Sequence, residues 1–267
     1  GVDMHWDDVG GFDSLMIYGT VTKGFKSGDF FKGATLGTSI GTLDNEVAWN
    51  YEAGLKTTFW GGLATANLAV FKTDYEDLQS QVQGDDVFVT LVTNDAEADG
   101  VELEINLAPA DGFTIGLTYA YLDTAITGDE LIEGESVKGN KLPRSPENSL
   151  GIQTGYEWSV GDLDMALFAS YTKQDEAYIS VLNALPDDIL ALTEQELLDM
   201  NFSITYEQWI FSLWGKNLTD ENILYEGQEF SSYWSLTNEE FFAAEEDLWN
   251  VKFSRPRTYG ITVRYEF

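Results

Sequence analysis

The chain has 267 residues, of which 46 are acidic and 14 are basic, and it carries a formal net charge of -32. So large an excess of carboxylates excludes a protein that binds nucleic acid through its phosphates. Cysteine is absent and His5 is the single histidine, which excludes disulfides, thiolate metal sites, multi-histidine zinc sites and most catalytic triads. We therefore expect a protein that is not an enzyme and that holds no metal and no cofactor.

Strict alternation of apolar and polar residues dominates the chain and predicts about ten β-strands. In chain order they lie near residues 14–24, 51–59, 63–76, 101–107, 113–121, 150–158, 163–173, 198–206, 209–217 and 258–267. The register of the 63–76 segment stays open, because Leu68 and Val70 compete with Phe71 for the apolar face. No apolar run reaches the roughly 18 residues of a membrane-spanning helix, so any crossing of a membrane must use strands.

The connections between these strands alternate between short and long. Tight turns are predicted at residues 61–62, 110–112, 161–162 and 207–208, and long acidic connections at 25–45, 78–94, 125–145, 174–194 and 218–256. Short turns at one end of a sheet and long loops at the other are typical of transmembrane barrels. In hydrocarbon such a sheet must close, because an unpaired backbone group costs several kcal/mol. The fold class predicted is all-β, an antiparallel transmembrane β-barrel.

Aromatic residues cluster at the short-turn end. Indole and phenol rings prefer the membrane interface, so a row of rings at one level predicts an aromatic girdle. The predicted girdle consists of Trp60, Phe113, Trp158, Tyr206, Trp209 and Tyr265. The alternative is that these rings cap the core of an ordinary sandwich. Carboxylates such as Glu102, Glu104 and Asp199 on the polar face favour a wet lumen.

A series of short motifs gives a family resemblance. The chain resembles the C-terminal half of the barrel of a TonB-dependent outer-membrane receptor. The stretches that carry the resemblance are Thr22-Lys23-Gly24-Phe25-Lys26-Ser27-Gly28, Asn50-Tyr51-Glu52-Ala53-Gly54-Leu55-Lys56, Phe71-Lys72-Thr73-Asp74-Tyr75-Glu76-Asp77-Leu78-Gln79, Gly100-Val101-Glu102-Leu103-Glu104, Gly139-Asn140-Lys141-Leu142-Pro143-Arg144-Ser145-Pro146, Trp214-Gly215-Lys216-Asn217-Leu218-Thr219-Asp220 and Arg255-Pro256-Arg257-Thr258-Tyr259-Gly260. The terminal Phe267 resembles the signal that the barrel-assembly machinery reads.

The resemblance implies a receptor in the Gram-negative outer membrane that takes up a scarce nutrient such as a ferric siderophore. It implies roughly half of a 22-stranded barrel, with residues 1–267 as its C-terminal portion and with neither plug domain nor TonB box recognisable. The implied partners are the TonB–ExbB–ExbD complex, the remaining half of the barrel, the plug, outer-membrane lipid, lipopolysaccharide and the barrel-assembly machinery. A ferric chelate would be transported substrate and not a cofactor.

Candidate ligand contacts lie on the predicted outer loops. They are the aromatic residues Tyr178, Tyr225, Tyr233 and Trp234, because rigid aromatic side chains offer contact area. The surplus of carboxylates would bind bridging divalent cations, attract cationic substrates, or reflect a saline habitat. The acidic alternation over residues 95–100 imitates the start of a calcium loop, but a polar strand face gives the same pattern.

Two other functions are compatible with the residues alone. One is a self-contained small outer-membrane barrel that acts as an adhesin or a surface enzyme. The other is a soluble acidic β-sandwich that binds carbohydrate through surface aromatics.

Overall fold

A single antiparallel sheet forms the body of the protein in a computed structural model that describes residues 1–28, 30–31, 41–83, 89–132, 134–183, 191–230 and 248–267. Eleven strands lie side by side in chain order. They are β1 (Val2–Val9), β2 (Phe12–Lys26), β3 (Glu46–Phe59), β4 (Ala64–Gln83), β5 (Val89–Ala110), β6 (Phe113–Ile126), β7 (Asn148–Val160), β8 (Leu163–Gln174), β9 (Gln195–Tyr206), β10 (Trp209–Lys216) and β11 (Thr258–Tyr265). The antiparallel all-β prediction is confirmed.

The strand β1 is additional to the ten that the alternation predicted. It pairs with β2 from Val2 opposite Gly19 to Val9 opposite Phe12. Within the described residues, β1 and β11 each have one strand neighbour in the sheet and are not paired with each other. The sheet is therefore open, as expected for part of a barrel.

The period of two gives the sheet an apolar face and a polar face. One row of paired residues is Ile17, Leu55, Leu68 and Leu103, and the adjacent row on the other face is Tyr18, Gly54, Ala69 and Glu102. Leu68 and Val70 are 42% and 46% exposed on the apolar face. Phe71 points to the polar face and lies over Gly100, where an added side chain would collide with its ring. The register left open by the sequence is thereby settled.

The prediction of a long connection over residues 78–94 is wrong. Pairing between β4 and β5 continues to Gln83 opposite Val89, after a register shift between Tyr75 and Leu78. After this bulge β4 and β5 pair again, although their residues no longer alternate between apolar and polar. The two strands therefore extend as a hairpin beyond the ends of the neighbouring strands. A bulge inserts an extra residue and cannot be read from period alone.

The other long connections contain short hairpins. Their paired segments are Phe30–Phe31 with Gly41–Thr42, Leu131–Ile132 with Glu135–Ser136, Ala177–Tyr178 with Ala191–Leu192, and Leu224–Phe230 with Leu248–Phe253. The largest fully buried side chains among the described residues are Ile223, Val137 and Val181, and all three lie in these connections. A soluble sandwich would bury its large side chains between sheets, whereas this sheet exposes them. No helix in the described part of the chain has the length and apolar character to cross a membrane.

Candidate functional site

The polar face carries a hydrogen-bonded group of side chains near its centre. The Tyr18 hydroxyl donates to Glu52 Oε1 at 2.6 Å, and Lys56 Nζ lies 5.5 Å from the centroid of the Tyr18 ring. Gly54 makes room for this ring, because a Cβ there would lie 2.5 Å from three of its atoms. The Tyr18 ring is thus held against the polar face by the Glu52 carboxylate and by the Lys56 ammonium.

Carboxylates outnumber cations on this part of the wall. Glu104 accepts hydrogen bonds from Asn106 Nδ2 at 2.9 Å and from Asn67 Nδ2 at 3.3 Å. Glu104 and Asn67 line a shallow cavity of about 560 Å³ that also includes Glu52, Glu102 and Lys56. Three carboxylates facing one ammonium give a surface that attracts cationic groups. We find no group of three or more His, Asp or Glu side chains able to hold a metal ion within the described ranges.

The predicted girdle residues gather at the short-turn end of the apolar face. Tyr206, Trp209 and Tyr265 are paired across three strands, and the Trp209 and Tyr265 ring centroids lie 4.9 Å apart. Further ring contacts join Phe113 to Tyr156, Tyr156 to Trp158, Phe59 to Trp60, and Tyr265 to Phe267. The structure brings these residues to one end of one face, and their contact with lipid stays a prediction.

A second aromatic row, which the sequence analysis missed, lies further along the same face. Tyr51 stands eight residues from Phe59, and Tyr121 eight residues from Phe113. Eight residues of strand rise about 26 Å, and a barrel tilt of about 40° reduces the vertical separation to about 20 Å. The two rows therefore have the separation of the two interfaces of a thin membrane. The signal in the sequence was the eight-residue spacing between two rings on β3 and again on β6.

Charged side chains begin at the level of the second row. Lys72, which pairs with Tyr51, places its Nζ 2.7 Å from Glu97, 3.5 Å from Asp74 and 3.7 Å from Asp99. The acidic run at residues 95–100 lies within β5, so it forms a strand face paired with a lysine rather than a calcium loop. The change from apolar to charged marks the outer limit of the apolar band.

The outer connections after β6 and β8 are locked together by two asparagines. Asn140 Nδ2 donates to the carbonyls of Val181 and Leu182, each at 2.9 Å. Asn183 Oδ1 accepts from the Lys141 backbone N–H at 2.6 Å, while its Nδ2 donates to the Lys141 carbonyl at 2.9 Å. Beside them Ile126, Ile132, Val137 and Val181 form a small apolar core. The motif over residues 139–146 is therefore a clamp between two loops.

The Lys141 side chain completes this clamp on the outside. Its ammonium binds the Asp123 carboxylate, and this hydrogen bond raises the pKa of Lys141 above its usual value. Lys141 also borders a cleft of about 550 Å³ with Lys173, Glu147, Glu194 and Tyr178.

The predicted ligand aromatics divide between two neighbouring outer hairpins. Tyr178 is half-buried, and its carbonyl accepts from the Arg144 N–H at 2.8 Å. Tyr225 is 43% exposed and follows Leu224, whose N–H donates to Thr193 Oγ1 at 3.3 Å next to the first hairpin. Tyr233 and Trp234 lie outside the described residues, as does the rest of the segment 231–247.

Asn217 organises the connection between β10 and β11. Its Nδ2 donates to the carbonyls of Glu221 and Arg255 at 2.9 and 3.0 Å, and its N–H donates to Asp199 Oδ1 at 2.8 Å. The residue is 6% exposed and adopts a φ of 50°, a region in which asparagine is favoured. The motif over residues 214–220 is therefore structural.

We predict that the girdle tryptophans lie at the lipid interface while Trp214 does not. Trp214 points to the polar face, where its Nε1 donates to Thr262 Oγ1 at 3.1 Å. In single-tryptophan variants reconstituted in vesicles, lipids brominated near the headgroup should quench Trp158 strongly and the matched control Trp214 weakly. Equal quenching of the two tryptophans would contradict the assignment of the faces.

We also predict that Asn183→Ala loosens the clamp. The substitution removes the Asn183 partner of the half-buried Lys141 N–H and carbonyl, at a cost of up to about 1–3 kcal/mol. Amide exchange of residues 139–144 should then accelerate by about tenfold or more, while exchange in the sheet stays unchanged. Asn67→Ala, which removes one exposed hydrogen bond of 3.3 Å to Glu104, is the control. Unchanged exchange at 139–144 in Asn183→Ala would show that the side chain does not hold the loops.

Comparison with known proteins places this sheet in a family. Residues 7–218 match the family described as TonB dependent receptor-like, beta-barrel. A probable TonB-dependent siderophore receptor, PiuA of Acinetobacter baumannii, is 26% identical over 156 residues, which are 56% of this chain and 20% of the relative. The ferric-pyoverdine BN7/BN8 receptor of Pseudomonas putida is 31% identical over 145 residues, covering 54% of this chain and 16% of the relative.

A solved structure shows the same fold. The ferric yersiniabactin uptake receptor FyuA from Yersinia pestis superposes with a TM-score of 0.75 at 20% identity, covering 99% of this chain and 36% of that chain. The chain thus spans about a third or less of the proteins that it matches. These relatives are outer-membrane barrels of Gram-negative bacteria, and the resemblance seen in the motifs is confirmed. The chain belongs to the TonB-dependent receptor β-barrel family and localises to the outer membrane.

Proposed function

We propose that this chain forms part of the barrel wall of an outer-membrane receptor that imports a ferric siderophore by TonB-dependent active transport. The observation that carries the proposal is the family match over residues 7–218 on a sheet with one apolar face and one acidic polar face. The names of the two curated relatives and of the similar structure all refer to siderophore receptors or ferric siderophore uptake. In the proposed receptor, residues 1–267 are the C-terminal portion of the barrel.

The receptor carries out transport and no chemical reaction. The family consists of transporters and receptors, and the described part of the polar face presents hydrogen-bonded carboxylates and amides. The ferric chelate is cargo and not a cofactor. Energy comes from the TonB–ExbB–ExbD complex, which acts through parts of the receptor outside this chain.

Each face of the sheet has its own proposed partner. The apolar face between the two aromatic rows contacts lipid, with Trp60, Phe113, Trp158, Tyr206, Trp209 and Tyr265 at the inner interface. The charged groups beyond the second row contact lipopolysaccharide. The polar face contacts the plug domain, and its surplus of carboxylates favours cationic groups on the plug. The remaining wall of the barrel pairs with the edge strands β1 and β11. Phe267, which is fully exposed, is the signal for the barrel-assembly machinery.

The ligand meets the outer hairpins first. Tyr178 and Tyr225 lie on two hairpins that are linked through Thr193, and in the proposed receptor both rings contact the ligand. Tyr233 and Trp234 complete the proposed aromatic contacts. The clamped loops hold Tyr178 in place before the ligand arrives, which reduces the entropy lost on binding.

We predict that the full-length receptor binds and imports a ferric siderophore and that Tyr178→Ala weakens binding. Loss of one aromatic contact should raise the Kd by roughly tenfold, equivalent to about 1.4 kcal/mol. The measurement is uptake of ⁵⁵Fe-siderophores by cells that lack other receptors, together with the Kd of the purified receptor. Tyr206→Ala, at the opposite end of the sheet, should leave the Kd unchanged.

The two parts of this prediction fail separately. Absence of uptake for every ferric siderophore tested, or uptake that persists without TonB, would contradict the proposed transport. Normal uptake with the same Kd for Tyr178→Ala and for the unaltered receptor would contradict only the role of Tyr178.

A further inference from the structure

The single histidine of the chain lies directly opposite a methionine on the polar face. His5 of β1 pairs with Met16 of β2. Met16 pairs in turn with Lys56, whose side chain lines the cavity beside Glu52. The His5 side chain is 63% exposed, and Met16 is partly exposed. An imidazole and a thioether therefore stand side by side on the polar face of the sheet.

Met16 differs from the other methionines in the face on which it lies. The chain has four methionines. The other three lie on the apolar face, where a thioether packs like any apolar side chain, and their partners across the sheet are Ile17 for Met4, Trp158 for Met165 and Ala169 for Met200. On the polar face the same side chain meets water and other polar groups, so the sulfur of Met16 is open to a ligand.

The His5 ring is held by a neighbouring carboxylate. Its Nε2 lies 3.0 Å from Asp3 Oδ2, and more than half of each side chain is exposed. So exposed an ion pair adds little to stability. A carboxylate that accepts the proton of one ring nitrogen leaves the lone pair on the other, which is the arrangement found at metal-binding histidines. The nitrogen of His5 that remains for a ligand is therefore Nδ1.

A single ion can contact both side chains. Residues directly opposite each other on one face of an antiparallel pair have Cβ atoms about 4.5–5.5 Å apart. The Nδ1 atom of a histidine and the sulfur of a methionine each lie two bonds from Cβ. An ion between His5 and Met16 can therefore bind the nitrogen of one and the sulfur of the other without a change in the backbone.

We propose that His5 and Met16 form a binding site for a soft monovalent cation, Cu(I) or Ag(I). Thioether sulfur selects Cu(I) over harder divalent ions, and imidazole also binds copper. The absence of cysteine and of a second histidine excludes thiolate and multi-histidine sites, and neither exclusion applies to a thioether. Asp3 and Asp7 share the face of His5 on β1 and add negative charge that favours a cation. The site does not depend on the proposed siderophore transport.

The test uses Ag(I), a redox-inert probe of soft-metal sites, on the full-length receptor in outer membranes and in chloride-free nitrate buffer. Diethyl pyrocarbonate modifies exposed imidazoles, and mass spectrometry of the peptide that contains His5 gives the rate at this residue alone. At a free Ag(I) concentration of about ten times the Kd, about nine tenths of the sites are occupied, so the rate should fall roughly tenfold. Zn(II) at the same concentration should protect His5 much less, because thioether is a poor ligand for it.

Matched variants separate this site from a lone histidine. Met16→Leu removes the sulfur from the polar face and should abolish the protection of His5 at the same Ag(I) concentration. Met4→Leu removes a sulfur from the apolar face, one residue from His5, and should leave the protection unchanged. Asp3→Ala removes the group that positions the ring and should raise the Kd for Ag(I) by about tenfold or more.

Two results would overturn the inference. They are the absence of protection by Ag(I) in the unaltered receptor and full protection in Met16→Leu. If Met16→Leu does not insert, or if His5 does not react even without Ag(I), oxidation by hydrogen peroxide in the unaltered receptor provides the measurement. A bound ion occupies the sulfur lone pair, so Ag(I) should slow the oxidation of Met16 and leave that of Met4 unchanged. Equal oxidation of Met16 with and without Ag(I), or no reaction at either His5 or Met16, would contradict an open site.

Discussion

The structure depends on one constraint, which is that a backbone amide cannot remain unpaired in hydrocarbon. Each unpaired group there costs several kcal/mol, so strands must lie side by side with every ladder filled. The described sheet does this by the simplest topology, in which each strand pairs with its neighbours in chain order and only the outer edges of β1 and β11 are left for the rest of the barrel. Successive side chains of a strand point to opposite faces of the sheet. In a closed wall of paired strands, one face therefore lies toward lipid and the other toward water.

The unusual composition follows from the division into two faces. Apolar residues are largely exposed on one face instead of being buried in a core, and the largest fully buried side chains described belong to the outer connections. The chain carries a net charge of -32, and many of the described carboxylates lie on the polar face and at the outer end, while others, such as Asp111 and Asp162, lie in the short turns. Some accept hydrogen bonds or pair with lysines, as Glu52, Glu97 and Asp123 do. So acidic a chain can still lie in a membrane, because its carboxylates lie outside the apolar band of the sheet.

Period and turn chemistry were enough to predict the architecture but not its outer parts. The alternation predicted ten of the eleven strands and the face to which most side chains point. It missed the extension of β4 and β5 to Gln83 and Val89, because a bulge changes the period. It also could not assign Asn140, Asn183 and Asn217, since each holds backbone groups of a loop about 40 residues away or closes a turn. Such roles depend on which loops meet, and local sequence does not encode that.

The central claim is that the alternation along each strand separates lipid from water, and the absence of cysteine permits a direct measurement. Single cysteines at positions 114 to 120 of β6 would carry a nitroxide label in the reconstituted receptor, and its collisions with oxygen and with a water-soluble nickel complex would be measured. The account predicts high oxygen and low nickel accessibility at Ile115, Leu117 and Tyr119, and lower oxygen accessibility at Thr114, Gly116, Thr118 and Ala120. Accessibility to nickel that is uniform along the strand would contradict it.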